Sequence, residues 1–421
     1  MRGLRSNRVT AVKEGTLMVT VDVGMASNTG YCSTVDGRDT KPFKFDNTRE
    51  GLDKFWGMAA ASKRRFQCTE VMIGYESTGP YAEPLVHYLM NKPVSIVQVN
   101  PMHTKRIKEL NDNSPLKTDD KDPRVIADVL RLGHALSVVV PEGDAACLRR
   151  LNNARERHIE ERTALLNQLQ QLVFLVFPEY KMVFKNIKSK TAQHILTHYT
   201  TPEKIGGLHR DDLGEEMRKR SMGKFGIKTA ERLISLARDT IGIKEGVAGI
   251  VLDIRHILVQ LQAVNDFIQE IETEMEKALE PIPCSTRILS MKGLGVVTVA
   301  GLIGEVGDFT KFRTQSEIMK LAGLDLYEIS SGKRKGQRRI SKRGRSLLRK
   351  ILYYAAVSTI RKNGIMCAQY ANLIGRGMVR TSALIVIAKK LLRIIFAMVR
   401  DDRDYVRDYI SPKRMVMKKA A

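Results

Sequence analysis

The chain has 421 residues, 43% of them hydrophobic, with 70 Lys and Arg against 46 Asp and Glu, a formal charge of +24. That length and apolar content suffice for more than one core, and so large a positive excess repels itself unless a polyanion, above all nucleic acid, compensates it. No uninterrupted apolar run reaches the length of a membrane span, the start holds too short an apolar segment for a signal peptide, and Cys32, Cys68, Cys147, Cys284 and Cys367 are odd in number and scattered. A soluble intracellular protein is expected, its thiols reduced and mostly packed.

After an extension over 1–16, the pattern from residue 17 is strand-like. "LMVTVDVG" is β-branched and alternating, "TGYCSTVDGRDTKPFKF" reads as a hairpin turned at Asp36-Gly37, and "VMIGYES" and "VSIVQVN" read as short buried strands. "GLDKFWGMAAASK" and "YAEPLVHYLM" are helical stretches between them, so 17–140 is expected to be an α/β domain with an antiparallel hairpin at its start. Beyond Cys147 the strand signals stop. A long helix ends near Pro178, and a second carries Ile254, Ile257, Leu261, Val264, Ile268, Ile271, Met275 and Ala278 at alternating steps of three and four. That spacing predicts a coiled-coil seam, either a dimerisation arm or a long helix packed within its own subunit. The helical middle spans 141–283, with a basic, mainly helical insert at 178–247.

The third region, 284–405, precedes a basic tail at 406–421. In "MKGLGVVTVAGLIGEVGDF", Gly293-Leu294-Gly295 before an apolar helix resembles a helix-hairpin-helix, whose amides accept a DNA phosphate. By itself such a triplet is more often a tight turn. "SSGKRKGQRRISKRGRSLLRK", residues 330 to 350, then holds ten Lys or Arg and no acid. Lys333, Arg334, Lys335, Arg338, Arg339, Lys342, Arg343 and Arg345 are candidate phosphate contacts, and the Ser-Gly pair at Ser331-Gly332 raises the question of a nucleophile.

Four acids form the other candidate site. Asp22 ends the first strand and Glu76 a later one, while Asp119 and Asp122 stand three apart before a helix whose first turn suits Pro123. Singly, each has an ordinary reading as a turn acid, an ion-pair partner or a helix cap. Together, two buried strands ending in acids followed by a DxxD helix start follow the order of an RNase H-like nuclease core. Convergent carboxylates repel, and Mg²⁺ (or Mn²⁺) bound to their oxygens removes the repulsion.

The succession "VDVG", "YESTGPYAEPL", "KTDDKDPRVIA", coiled coil, "GLGVVTVAGLIGEVGDFTKF", "LAGL" and "SSGKRKGQRRISKRGRSLLRKILYYAA" resembles the transposases of the IS110 type, including their IS1111 branch. The resemblance covers most of the chain except its start, the 178–247 insert and the tail. It implies a RuvC-like domain carrying the set Asp22, Glu76, Asp119 and Asp122, and a C-terminal transposase domain whose serine nucleophile is Ser331, with Ser330 a minor rival. It also implies a recombinase of donor and target DNA guided by a structured noncoding (bridge) RNA. Such a protein is expected in the prokaryotic cytoplasm at the nucleoid, as a dimer or tetramer joined by the coiled coil, with the acids of one subunit meeting Ser331 of another. Two rival readings are a metal-dependent junction nuclease that uses water, and a non-catalytic RNA-binding scaffold.

Overall fold

The computed structural model describes residues 12–76, 79–112, 122–138, 140–328 and 338–407, and the chain falls into two units, 1–139 and 140–421. In the first, β-branched alternation forms β1 (Thr16–Asp22), followed by β2 (Ser27–Ser33) and β3 (Phe43–Asp46). The helix α1 (Arg49–Arg65) starts at Thr48, whose side chain accepts from the Gly51 amide, and leads to β4 (Glu70–Glu76). There follow α2 (Ala82–Met90), β5 (Ser95–Val99), α3 (Pro101–Asp112), α4 (Asp122–Arg131) and β6 (Ala135–Ser137). The sheet order is β3-β2-β1-β4-β5-β6. β1, β4 and β5 are parallel, while β2, β3 and β6 run against their neighbours. The hairpin expected around Asp36-Gly37 is therefore present, and Gly37 takes the positive φ that its turn requires.

One face of this sheet packs on α4. Met18, Val97 and Val99 share a cluster with Val125, Ile126, Val129 and Leu130. Gly74 permits the close approach, since a Cβ there would lie 2.6 Å from a Leu130 methyl carbon. Gly74→Val is expected to lower stability by about 1–3 kcal/mol through overpacking. The check is the urea midpoint, and an unchanged value would mean that α4 is free to shift.

The second unit is mainly helical. The two long helices expected from sequence are α5 (Gly143–Val176) and, after the insert, α11 (Val247–Leu279). Between them lie α6 (Tyr180–Val183), α7 (Lys190–His198), α8 (Pro202–Gly206), α9 (Arg210–Arg220) and α10 (Ile227–Arg238). Arg155 bonds Glu272 at 2.7 Å and Arg162 bonds Asn265 at 3.3 Å, so partner numbers fall as chain numbers rise and the helices are antiparallel. The α11 seam is buried within the chain: Ile254, Ile257, Leu261, Val264 and Ile268 share a cluster with Leu165, Leu169 and Val173 of α5 and with the insert. That is the intrasubunit alternative of the sequence reading. On length and hydropathy alone α11 could cross a bilayer, but Asp253, Arg255, Gln260, Gln262 and Asp266 occupy its outer faces.

A second cluster joins the other ends of α5 and α11 to α12 (Pro283–Leu289), α13 (Val296–Val306), α14 (Gln315–Leu321), α15 (Ser346–Thr359), α16 (Cys367–Gly375) and α17 (Arg380–Arg400). Leu148, Ile271, Met275 and Leu279 belong to it, so the region 284–405 packs together with both long helices. Gly301 and Gly304 allow α13 to lie directly on α5, because a Cβ at Gly304 would meet the Arg149 backbone nitrogen at 2.7 Å. Cys32 and Cys68 are buried and unbridged, with burial raising the Cys32 thiol to about 11, Cys284 and Cys367 are half-buried, and Cys147 is exposed.

Candidate functional site

Strand register brings two of the predicted acids to one edge. Val21 pairs with Tyr75, so Asp22 and Glu76 are the next residues of adjacent parallel strands. Side chains alternate along a strand, and both residues two positions earlier face α4: the Thr20 hydroxyl donates to the Pro123 carbonyl at 2.6 Å, and Gly74 abuts Leu130. Asp22 and Glu76 therefore leave the sheet on the α4 face, and the Thr20 bond pins the start of α4, where Asp122 lies, beside them. Asp119 lies outside the described residues.

The surroundings of these acids are specific. The Thr104 hydroxyl sits 2.9 Å from Glu76 Oε2, and the Lys108 ammonium of α3 pairs with Asp122. Asp122 is only 8% exposed, and its Oδ1 is the oxygen that faces the Lys108 ammonium. After Asp22 the chain turns through Gly24, where a Cβ would lie 2.4 Å from the Ser27 carbonyl oxygen, and Asn28 and Asn47 bond across the turn. Among the described residues Asp22, Glu76 and Asp122 share the edge without closing to a three-ligand cluster. Three like charges repel, and Lys108 draws Asp122 toward α3. An all-oxygen donor set that includes a nearly buried carboxylate fits a divalent cation of the Mg²⁺ kind.

Sequence reading overlooked Thr20, Thr104, Lys108 and the two asparagines. Period-two spacing from Asp22 could have singled out Thr20, but nothing local marks the others.

In the second unit, α12 and α13 flank the turn that holds Gly293 and Gly295, the segment whose sequence resembles a helix-hairpin-helix. Gly293 has φ +103 with Thr359 against it, and Gly295 caps α13 with no side chain of its own to bond the first-turn amides. Of the basic run, Arg338 and Arg339 lie at a small two-stranded sheet. β7 (Leu326–Tyr327) pairs antiparallel with β8 (Arg339–Ile340), and Arg338 bonds Glu328 at 2.9 Å, so the ends of the connection that carries Ser331 are held together. Ser330, Ser331, Gly332, Lys333, Arg334 and Lys335 lie outside the described residues. Burial pushes the Asp325 carboxyl up and, with repulsion from Arg393, the Lys389 ammonium down.

The cations after β8 divide by role. Arg339, Lys342 and Arg343 are exposed and make no ion pair among the described residues. Arg345 instead lies against Glu305, 3.8 Å away and nearly fully buried, and donates to the Glu305 carbonyl. Arg349 donates to the Ala322 carbonyl at 2.9 Å, and Lys350 pairs with Glu156. Backbone bonds from Lys342 to Gly323 and from Arg345 to Leu321 fasten this loop to "LAGL". Gly344 makes that fit possible, since a Cβ there would lie 2.4 Å from the Leu321 carbonyl oxygen.

The two sites coincide with two family models, one described as a transposase of the IS110 DEDD type over residues 19–178, the other as the transposase IS116/IS110/IS902 family over 285–371. The chain belongs to the IS110 family of transposases. The transposase is 25% identical to the 43.6 kDa protein of insertion element IS110 from Streptomyces coelicolor, over 91% of this chain and 94% of that one. It is 28% identical to the 44.8 kDa protein of insertion element IS116 from Streptomyces clavuligerus, over 68% and 72%. A protein of insertion element IS900 from Mycobacterium paratuberculosis is 25% identical over 69% and 73%. The first match contains all four acids and the second contains the glycine turn, Ser331 and the basic run. Residues 179–284 of the transposase, including the insert, belong to neither.

Proposed function

We propose that this transposase cuts and exchanges DNA strands with Asp22, Glu76, Asp119 and Asp122 as metal-holding carboxylates and Ser331 as the nucleophile. The observation that carries the first part is the placement of Asp22 and Glu76 at the ends of adjacent parallel strands, on the face where α4 delivers Asp122. The order β3-β2-β1-β4-β5 with β2 antiparallel supports an RNase H-like, RuvC-like reading of this domain. When bound, Mg²⁺ or Mn²⁺ would supply charge neutralisation for the attacking and leaving oxygens of a phosphodiester. Thr104 orients Glu76, and Lys108 balances Asp122. Strand exchange on plasmid substrates should require Mg²⁺ and stop with chelator. Exchange that persists in excess chelator would remove the carboxylates from the reaction.

Donor and target DNA are the substrates in this reading, and a structured bridge RNA supplies sequence choice by pairing, as the resemblance implies. The work is done at the bacterial nucleoid. A dimer or tetramer would have to use faces of the α5–α11 hairpin other than the buried seam, such as the exposed Leu252, Val259 and Phe267 of α11. The turn at Gly293 and Gly295 and the cations from Lys333 to Arg343 hold phosphate backbones, while Arg345, given its burial against Glu305, shapes the loop more than it contacts nucleic acid.

That division gives a direct expectation. Removing charge in pairs from Arg338, Arg339, Lys342 and Arg343 should weaken binding about equally across sequences and reduce the salt slope by about one log–log unit per lost phosphate contact. Sequence preference should survive. A slope equal to that of the unaltered protein would place the run away from the phosphates.

A further inference from the structure

The insert carries chemistry that strand exchange does not use. α7 places His194 and His198 four residues apart, hence on one face, and α9 brings Glu216 against them. One ligand atom from each of the three lies within 4.8 Å of the other two. His194 Nε2 is 2.5 Å from Glu216 Oε1, and the two imidazole centroids are 4.1 Å apart.

The hydrogen bonds around the cluster favour ligation. His198 Nδ1 lies 2.9 Å from the His194 carbonyl oxygen, which can only accept, so Nδ1 carries the proton and Nε2 of the neutral ring keeps its lone pair. The Tyr199 hydroxyl donates to Glu216 Oε2 at 3.1 Å, leaving the other carboxylate oxygen toward the histidines. Outer partners of this sort orient metal-binding imidazoles and carboxylates.

We propose that His194, His198 and Glu216 form a binding site for a transition-metal ion, Zn²⁺ by its donor set, that ties α7 to α9. Two imidazoles and one carboxylate suit Zn²⁺ and not Mg²⁺, which takes oxygen ligands. Donor atoms around tetrahedral Zn²⁺ stand about 3.3 Å apart at bond lengths of about 2.0–2.2 Å. His194 and Glu216 would open slightly to admit the ion, and the exposed His198 would swing in. Water would take the fourth position. A plain His194–Glu216 hydrogen bond accounts for that pair but leaves Nε2 of the adjacent His198 ring without a hydrogen bond among the described residues. The site is separate from the carboxylates at the sheet edge, so its failure and the failure of the strand-exchange reading are independent.

The test uses the full-length protein, stripped with chelator, dialysed, and titrated with Zn²⁺ by calorimetry in excess Mg²⁺ to hold the carboxylates occupied. Wild type should bind one Zn²⁺ that His198→Gln and Glu216→Gln each weaken by about tenfold or more. Co²⁺ in place of Zn²⁺ should give visible absorption bands that disappear in His198→Gln. His198 is exposed and glutamine is a good helix former, so that variant should match the metal-free wild type in helicity and melting temperature. Equal Zn²⁺ affinity in wild type and His198→Gln, or no stoichiometric uptake by wild type, would overturn the site.

Discussion

Asp22→Asn, Glu76→Gln, Asp119→Asn and Asp122→Asn should each abolish strand exchange while folding and RNA binding persist. A neutral amide keeps the shape of the side chain but not the charge that holds a divalent cation. Loss of an outer partner of a metal ligand already lowers metal affinity or activity by about 10–100-fold, so loss of a ligand should exceed about a hundredfold. The environments add an internal contrast. Glu76→Gln retains an oxygen for the Thr104 hydroxyl, whereas Asp122→Asn leaves the Lys108 ammonium beside a neutral group. Circular dichroism and a melting curve must therefore accompany the Asp122 variant in particular. Lys108→Met should depress activity less than any of the four, because it removes a charge balance and not a ligand. Full exchange activity in any two of the carboxylate variants would sink the assignment.

Much of the α/β unit was legible because its signals are local. β-branched alternation over "LMVTVDVG", "VMIGYES" and "VSIVQVN" corresponds to β1, β4 and β5, and the stripe from Ile254 to Met275 marked the face of α11 that is buried. Heptad spacing cannot say which helix covers a stripe, however, and here the partner is α5 of the same chain. β6, β7 and β8 were missed because strands of two or three residues show no period. The acids at the sheet edge were readable as strand ends, but their supports were not. Thr104 and Lys108 lie on α3, whose sequence marks neither, and reach Glu76 and Asp122 only through tertiary packing. The basic run shows the converse. Composition gives every cation in it the same meaning, while Arg345, Arg349 and Lys350 are held by Glu305, the Ala322 carbonyl and Glu156.

Ser331→Ala should lose both strand exchange and any covalent protein–DNA adduct, yet keep DNA and RNA binding. In the proposed transfer the Ser331 oxygen bonds to phosphorus, the bond from phosphorus to a deoxyribose oxygen breaks, and the serine proton ends on the released hydroxyl. A serine hydroxyl is a weak nucleophile alone, so developing negative charge needs nearby cations. β7 and β8, bridged by Arg338 and Glu328, hold the ends of the segment with Ser331, and Arg339 immediately follows on β8. A suicide DNA substrate nicked near the crossover should trap the phosphoserine on wild-type protein, and peptide mapping should place it at Ser331. Ser330→Ala should stay active, since Ser331 is the residue next to Gly332, whose missing side chain lets a DNA backbone come close. An adduct that persists in Ser331→Ala, or one that maps to Ser330 or to Tyr327, would refute the nucleophile. Cleavage with no adduct in any variant would instead make the enzyme a nuclease that activates water at the four carboxylates.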